Sequence, residues 1–219
     1  MKKLACILLC AVPAALAFSA CAPKGGGWRC LNGFEYTLDS QISKAGITCR
    51  TRVSPYEYGF ASAGLFVNGD ARCVKSGKSL RVMLYGDAAE DLGGRGLGWR
   101  PSVTIKEKRL AKARFIEIDL FYRTVSESPL FGDTLPRSDR PWTICFVVLL
   151  AGADRIFTDS YSLIGGWNTL RLDLSAGPPK PLAKADAVAI EFTNESGEGQ
   201  NGARYHFYLD DLRAVYNAD

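Results

Sequence analysis

Short runs of alternating or continuously apolar residues, separated by clusters of Gly, Pro, Asn and Asp, fill the chain after its first 27 residues. Such runs are typical of β-strands, and we find no long stretch with the periodicity of a helix. The predicted strands are 34–38, 47–53, 64–67, 79–85, 102–105, 114–122, 143–150, 155–161, 168–174, 187–192 and 205–215. About ten strands without long helices favour an all-β fold, an antiparallel β-sandwich of jelly-roll type.

Alternation within the strands assigns their faces, because successive side chains of a strand point to opposite sides of the sheet. In the strand that begins at Arg114, alternate residues from Ile116 to Tyr122 are apolar and are expected to face the core. Polar residues of this and later strands are expected on solvated faces. This polar set is Glu117, Asp119, Arg123, Arg171 and Glu191. Trp167, which precedes a strand, is expected to join the core.

The first 20 residues have the order of an export signal, with two lysines after Met1, an apolar run to Phe18 and small residues before Cys21. The run contains Pro13 and has about 15 residues, fewer than the roughly 20 of a membrane-spanning helix. Phe18 to Cys21 resembles the bacterial lipobox, in which the cysteine is lipidated. We therefore expect residues 1–20 to be a signal peptide and the exported protein to be anchored through Cys21 to the cell envelope, on its periplasmic or surface side. An ordinary secreted protein is the alternative.

The next residues, 21–27, are small and rich in glycine, and we expect them to be a flexible lipidated tether. Residues 28–219 are predicted to form one domain. The formal net charge is +4, with both signs scattered along the chain. Because no basic segment stands out, nucleic acid is not an expected partner.

Four of the seven cysteines lie in the predicted domain: Cys30, Cys49, Cys73 and Cys145. Cys145 falls within an apolar run and is predicted to be a buried thiol. Export to an oxidising compartment permits disulfides, and we expect at most one bridge among the other three cysteines.

Three segments of the C-terminal half resemble the closing strands of carbohydrate-binding modules with a galactose-binding-like jelly roll. They are GWNTLRLDLS from Gly166, AVAIEF from Ala187 and YHFYLDDLR from Tyr205. The segments LNGFE from Leu31 and GKSLRV from Gly77 look like the first strands of that group. The resemblance implies a jelly roll that binds poly- or oligosaccharide, but it does not identify the sugar.

In such modules an early and a late acidic residue often hold a structural calcium ion between the chain termini. Glu35 and either Asp210 or Asp211 match those positions. Calcium takes carboxylate and carbonyl oxygens as ligands, so the resemblance implies a structural calcium here. The alternative is that all three are ordinary hydrogen-bonded carboxylates.

Saccharide sites combine aromatic rings, which contact the apolar face of a sugar, with polar side chains that bind its hydroxyls. The candidate ligand-binding residues are Trp99, Arg100, Glu117, Asp119, Arg123, Arg171 and Glu191. The same inventory would also suit an ordinary solvated sheet.

Catalysis is not expected. The single histidine, His206, lies within a strand, and Glu117 and Asp119 stand two apart on one strand, so they would not flank a glycosidic bond from opposite sides. The glycine-rich segment 93–98 lacks the Lys-Ser/Thr ending of a phosphate loop. The sequence thus favours a non-catalytic carbohydrate-binding lipoprotein. The alternative is an envelope module of the same fold that docks a protein partner.

Overall fold

The computed structural model describes residues 27–50, 63–86, 102–122, 144–152, 154–175, 182–193 and 203–216. In order, the elements are β1 (Trp28–Asn32), α1 (Asp39–Lys44), β2 (Ile47–Arg50), β3 (Ala63–Asn68), a 3-10 turn (Ala71–Cys73), β4 (Ser79–Gly86), β5 (Ser102–Lys106), β6 (Phe115–Tyr122), β7 (Ile144–Ala151), β8 (Asp154–Tyr161), β9 (Gly166–Asp173), β10 (Ala187–Thr193) and β11 (Ala203–Val215). Within these ranges no helix is long and apolar enough to cross a bilayer.

The strands form two antiparallel sheets. The six-stranded sheet has the order β3-β4-β11-β6-β9, and β1 pairs with the second half of β11. The five-stranded sheet has the order β2-β5-β10-β7-β8. From β4 onwards each connection leads to a strand of the other sheet, except that β7 and β8 are neighbours in the five-stranded sheet and form a hairpin. The predicted antiparallel sandwich of jelly-roll type is confirmed.

The core lies between the two sheets. The alternate residues of β6 from Ile116 to Tyr122 are buried, as predicted. Phe207 of β11 meets Phe192 of β10 with ring centroids 4.6 Å apart, which joins the two sheets directly. Burying an aromatic side chain of this size stabilises the fold by about 1.5–3 kcal/mol.

The predicted strand at 34–38 is wrong, because turn and capping groups control this segment. The side chain of Asn32 accepts a hydrogen bond of 2.8 Å from the backbone N–H of Phe34, which is buried with a φ of 55°. The side-chain oxygen of Gln41 then accepts from the backbone N–H of Leu38 at 3.1 Å, where α1 begins. Local side-chain acceptors therefore replace strand pairing.

A β-bulge interrupts β11 where the strand changes neighbours. Its first half pairs with β4 and its second half with β1, and the register with β6 shifts between Asp210 and Arg213. Asp211 adopts a φ of 46°, in the left-handed region. A bulge re-aims the side chains that follow it. As a result, Arg213 points to the outer face of the sheet, whereas strict alternation from Phe207 would turn it inward.

Of the three cysteines expected to supply at most one bridge, Cys30 is the one that forms a disulfide. Cys30 is disulfide-bonded, whereas neither Cys49 nor Cys73 forms a disulfide, so no bridge joins two of these three residues. Burial raises the pKa of the Cys49 thiol to about 11, which keeps it protonated at neutral pH. The predictions for the side chain of Cys145, for Cys21 and for the signal peptide concern parts of the chain outside the described residues.

Candidate functional site

A row of directly paired residues crosses the outer face of the six-stranded sheet. Phe66 is opposite Arg81, Arg81 is opposite Tyr208, Tyr208 is opposite Phe121, and Phe121 is opposite Trp167. These residues alternate with core residues along β3, β4, β11, β6 and β9, so all of them point away from the core. We call these five residues the aromatic row.

Contacts between neighbours hold the aromatic row together. The ring centroids of Phe121 and Trp167 are 5.4 Å apart, and those of Phe121 and Tyr208 are 6.0 Å apart, both in edge-on geometry. The guanidinium of Arg81 lies 4.9 Å from the ring centre of Phe66. Tyr208 is buried, whereas Phe66, Phe121 and Trp167 are half-buried. The face therefore offers several fixed aromatic surfaces.

A row of charged residues lies on the same face, further along the strands. Glu117 of β6 is in register with Arg213 of β11 on one side and with Arg171 of β9 on the other. Its Oε2 accepts from Nε of Arg213 at 2.8 Å, and its Oε1 accepts from Nε of Arg171 at 2.5 Å. We call these three residues the charged row. Its central carboxylate is held by two guanidinium groups.

Asp119 lies between the two rows and is fully buried. Its Oδ1 accepts from the Thr169 hydroxyl at 2.6 Å, and its Oδ2 accepts from Nη1 of Arg213 at 2.9 Å and from Nζ of Lys75 at 2.8 Å. Burial by itself raises the pKa of Asp119. The hydrogen bonds from Lys75 and Thr169, with the charge of Arg213, outweigh burial and hold that pKa below its usual value. Asp119 is therefore ionised at neutral pH.

Lys75 reaches this face from the connection between β3 and β4. Its backbone N–H donates to Oδ2 of Asp210 at 2.8 Å, and its ammonium lies 5.4 Å from the ring centre of Trp167. The connection is stabilised by a hydrogen bond of 2.7 Å from the Ser79 hydroxyl to the carbonyl of Cys73. Lys75 thus links the bulge of β11 to the aromatic row.

Three of the predicted ligand-binding residues meet in this site: Glu117, Asp119 and Arg171. The prediction that Glu117 and Asp119 are solvated is wrong, because surrounding cations leave them only 6% and 0% exposed. Glu191 belongs to the five-stranded sheet, where Arg155 pairs with it at 2.6 Å, so it lies on a different face. The remaining predicted residues, Trp99, Arg100 and Arg123, lie outside the described residues.

Sequence reasoning missed Trp167, Arg213 and Lys75. The prediction that Trp167 joins the core is wrong. Trp167 lies three positions before the buried Leu170, and residues an odd number of positions apart on a strand point to opposite faces. Alternation therefore already places Trp167 on the outer face. Arg213 follows the bulge, which no alternation pattern reveals. Lys75 lies in a connection whose path the strand pattern does not define.

The carboxylates predicted to hold calcium accept hydrogen bonds from the backbone. Asp210 accepts from the N–H groups of Lys75 at 2.8 Å and Asp211 at 2.9 Å, and Glu35 accepts from the N–H of Lys78 at 3.1 Å. Among the described residues, no group of three or more His, Cys, Asp or Glu is placed to hold a metal ion. A structural calcium ion at Glu35 and either Asp210 or Asp211 stays a prediction.

The titration of Asp210 makes stability depend on pH. Burial raises the pKa of Asp210 from 3.8 to about 6, against the lowering effect of the hydrogen bond from Lys75. Since the folded state holds this proton more tightly than the unfolded state, the stabilising contribution is full below about pH 4 and is lost as the pH rises through about 6.

We expect the wild-type protein to lose about 2 kcal/mol more unfolding free energy than Asp210→Asn between about pH 4.5 and 7. Urea unfolding at both pH values measures the difference. Asp154→Asn, an exposed strand position, is the matched control and should follow the wild type. An unchanged pH dependence in Asp210→Asn would contradict the assignment.

Gly77 is required mainly by its left-handed backbone conformation, and the Glu35 carboxylate lies close to it. A methyl group on Gly77 would collide with the Glu35 carboxylate, and its φ of 61° is strained for any residue with a side chain. We expect Gly77→Ala to destabilise the protein by about 1–3 kcal/mol in thermal unfolding. Gly69→Ala is the matched control in the same connection, because an added methyl group there meets nothing within 4 Å. Equal effects of the two changes would refute this role.

The similarities to known proteins are to solved structures, at low sequence identity. No protein-family model matches the sequence, and no curated protein matches it. The chain is similar to the family 11 carbohydrate-binding module from Clostridium thermocellum in complex with a β-1,3-1,4-mixed-linked tetrasaccharide, with 13% identity and a TM-score of 0.49 over 89% of this chain and 98% of that one. The chain is also similar to TmCBM27, a carbohydrate-binding module studied for specific mannan recognition. The identity is 12% and the TM-score is 0.43, over 87% of this chain and 99% of that one.

The chain is also similar to an enzyme, with a comparable identity and TM-score. A cyclase from Fischerella sp. TAU, in complex with 4-(1H-indol-3-yl)butan-2-one, has 13% identity and a TM-score of 0.47 over 91% of this chain and 100% of that one. A fold does not define a function by itself, so function has to be argued from the site.

Proposed function

We propose that the protein binds an oligo- or polysaccharide on the outer face of its six-stranded sheet. The observation that carries this proposal is the aromatic row beside the charged row. Half-buried aromatic residues on an outer face suit the apolar face of a sugar, and the neighbouring polar groups suit its hydroxyls. Along β9, the ring of Trp167, the hydroxyl of Thr169 and the guanidinium of Arg171 follow one another at steps of about 7 Å.

Binding without cleavage is part of the proposal. Glycoside hydrolysis requires a protonated carboxyl group that faces a second carboxylate across the scissile bond. Asp119 is ionised and enclosed by Lys75, Thr169 and Arg213, and Glu117 is held by two guanidinium groups. Both carboxylates also project from one strand to one side. Their role in the proposal is to fix the cations and the hydroxyl that surround them.

A protein-docking role receives less support from the described surface. The exposed large apolar side chains there are Leu38 and Ile164, at 61% and 67% exposure. Leu38 precedes α1, which packs beside β3, whereas Ile164 precedes β9. β3 and β9 are opposite edges of the sheet, so these two side chains do not form the broad apolar patch that a docking surface needs.

We further propose that the protein is exported and anchored to the envelope by a lipid on Cys21. The support is the N-terminal sequence pattern, with its lysines, apolar run and small residues before the cysteine. Cys21→Ser should move the protein from the membrane fraction to the soluble fraction. Membrane association that persists in this variant would contradict the proposed lipid anchor.

A glycan array tests the binding proposal. The wild-type protein should bind one class of saccharide reproducibly, and Glu191→Gln, which alters the other sheet, should bind the same class equally well. A blank array for a folded protein would reject saccharide binding. Cleavage products in a reducing-end assay with the bound class would reject the non-catalytic role.

A further inference from the structure

We propose that the bound saccharide is acidic and that one of its carboxylate or sulfate groups binds between Lys75 and Arg171. This inference rests on the proposed function and narrows it to a ligand class. It follows from which hydrogen-bonding groups of the face are already used and which are exposed.

The acceptors of the site are already used. Both oxygens of Asp119 and both oxygens of Glu117 accept hydrogen bonds from Lys75, Thr169, Arg171 or Arg213. The two carboxyl groups are also buried. Turning either carboxyl group towards a ligand would break these bonds, so Glu117 and Asp119 are poor acceptors for the hydroxyls of a sugar.

The donors of the site are exposed. The side chain of Lys75 is 36% exposed and that of Arg171 is 57% exposed. An ammonium group has three N–H donors and a guanidinium has five, and Asp119 and Glu117 use only part of each set. A carboxylate or sulfate is a ligand made only of acceptors, and charge-assisted hydrogen bonds to Lys and Arg are the strongest of their kind.

Two further carboxylates border the cluster. Oδ1 of Asp173, beyond Arg171 on β9, accepts from the N–H of Ser175 at 2.8 Å and from its hydroxyl at 2.6 Å. Asp211 is half-buried in the bulge, near the charges of Arg213 and Lys75, and Asp173 lies near the charge of Arg171. Both carboxylates reduce the positive charge of the face, so the proposal rests on the exposed donors of Lys75 and Arg171 and not on the net charge.

The test measures binding of the full chain to matched polymers: polygalacturonate against its methyl ester, and dextran sulfate against dextran. We expect each acidic polymer to bind at least about tenfold more tightly than its neutral partner.

Lys75→Gln and Arg171→Gln should each weaken binding of the acidic polymers by about tenfold or more, and Lys75→Arg should retain most of this binding. Lys184→Gln, an exposed lysine next to the five-stranded sheet, is the matched control and should bind like the wild type. Melting curves establish that each variant is folded.

The outcomes separate the two proposals. Equal or tighter binding to neutral polymers would overturn the acidic class and leave saccharide binding intact, and so would acidic binding that Lys75→Gln and Arg171→Gln do not weaken. An equal loss in Lys184→Gln would mean unspecific attraction to charge, which also overturns the site. Failure to bind any polymer, together with a blank glycan array, would reject the proposed function itself.

Discussion

Arg213→Met is expected to lower the free energy of unfolding by about 3–5 kcal/mol, because it leaves Glu117 and Asp119 buried without their shared cation. Arg213 donates to Glu117 at 2.8 Å and to Asp119 at 2.9 Å, and no other described residue bridges both carboxylates. Removing one partner of a buried ion pair costs far more than the pair itself contributes. Urea unfolding at neutral pH measures the change.

Arg155→Met is the matched control for this prediction. Arg155 pairs with Glu191 at 2.6 Å, but its side chain is 52% exposed. An exposed ion pair typically contributes less than about 1 kcal/mol, so this variant should stay close to the wild type. Similar losses in the two variants would show that the carboxylates of the outer face are not held mainly by Arg213.

Trp167→Ala is expected to weaken saccharide binding at least about thirtyfold, or about 2 kcal/mol, because it removes the half-buried ring at one end of the aromatic row. Trp167→Phe keeps a ring and should retain much of the affinity. Titration calorimetry with the saccharide found on the array gives the numbers.

The control for the loss of apolar surface is Ile164→Ala, which truncates an exposed side chain outside the row. Its affinity should match that of the wild type. If Trp167→Ala bound normally while the protein remained folded, the aromatic row could not be the binding surface.

Most strands could be predicted from the sequence because burial of one sheet face imposes a period of two on it. The strand at 115–122 is the clearest case, since its alternate apolar residues all face the core. The segment at 34–38 has a similar pattern but forms a loop, because side chains of Asn32 and Gln41 take over the backbone N–H groups. Turn and capping chemistry of this kind competes with strand patterning and leaves a weaker signal.

The site was harder to predict than the fold. Glu117 and Asp119 have the alternation of solvated residues, and only the cations that reach them from β9, β11 and a distant connection explain their burial. Arg213 depends on a bulge, and Lys75 depends on how the β3–β4 connection folds back. Both are tertiary features that local sequence does not encode. Trp167, in contrast, could have been placed correctly by extending the alternation of β9 two residues further back.

The central claim is that saccharide binds the outer face of the six-stranded sheet, and a backbone and side-chain NMR titration with the array-positive saccharide tests it most directly. The account predicts the largest shifts at the Trp167 indole N–H and the Arg171 side chain, with adjacent changes along β6 and β9. Shifts confined to Arg155, Glu191 and the neighbouring strands β8 and β10 would place the ligand on the five-stranded sheet and contradict the account.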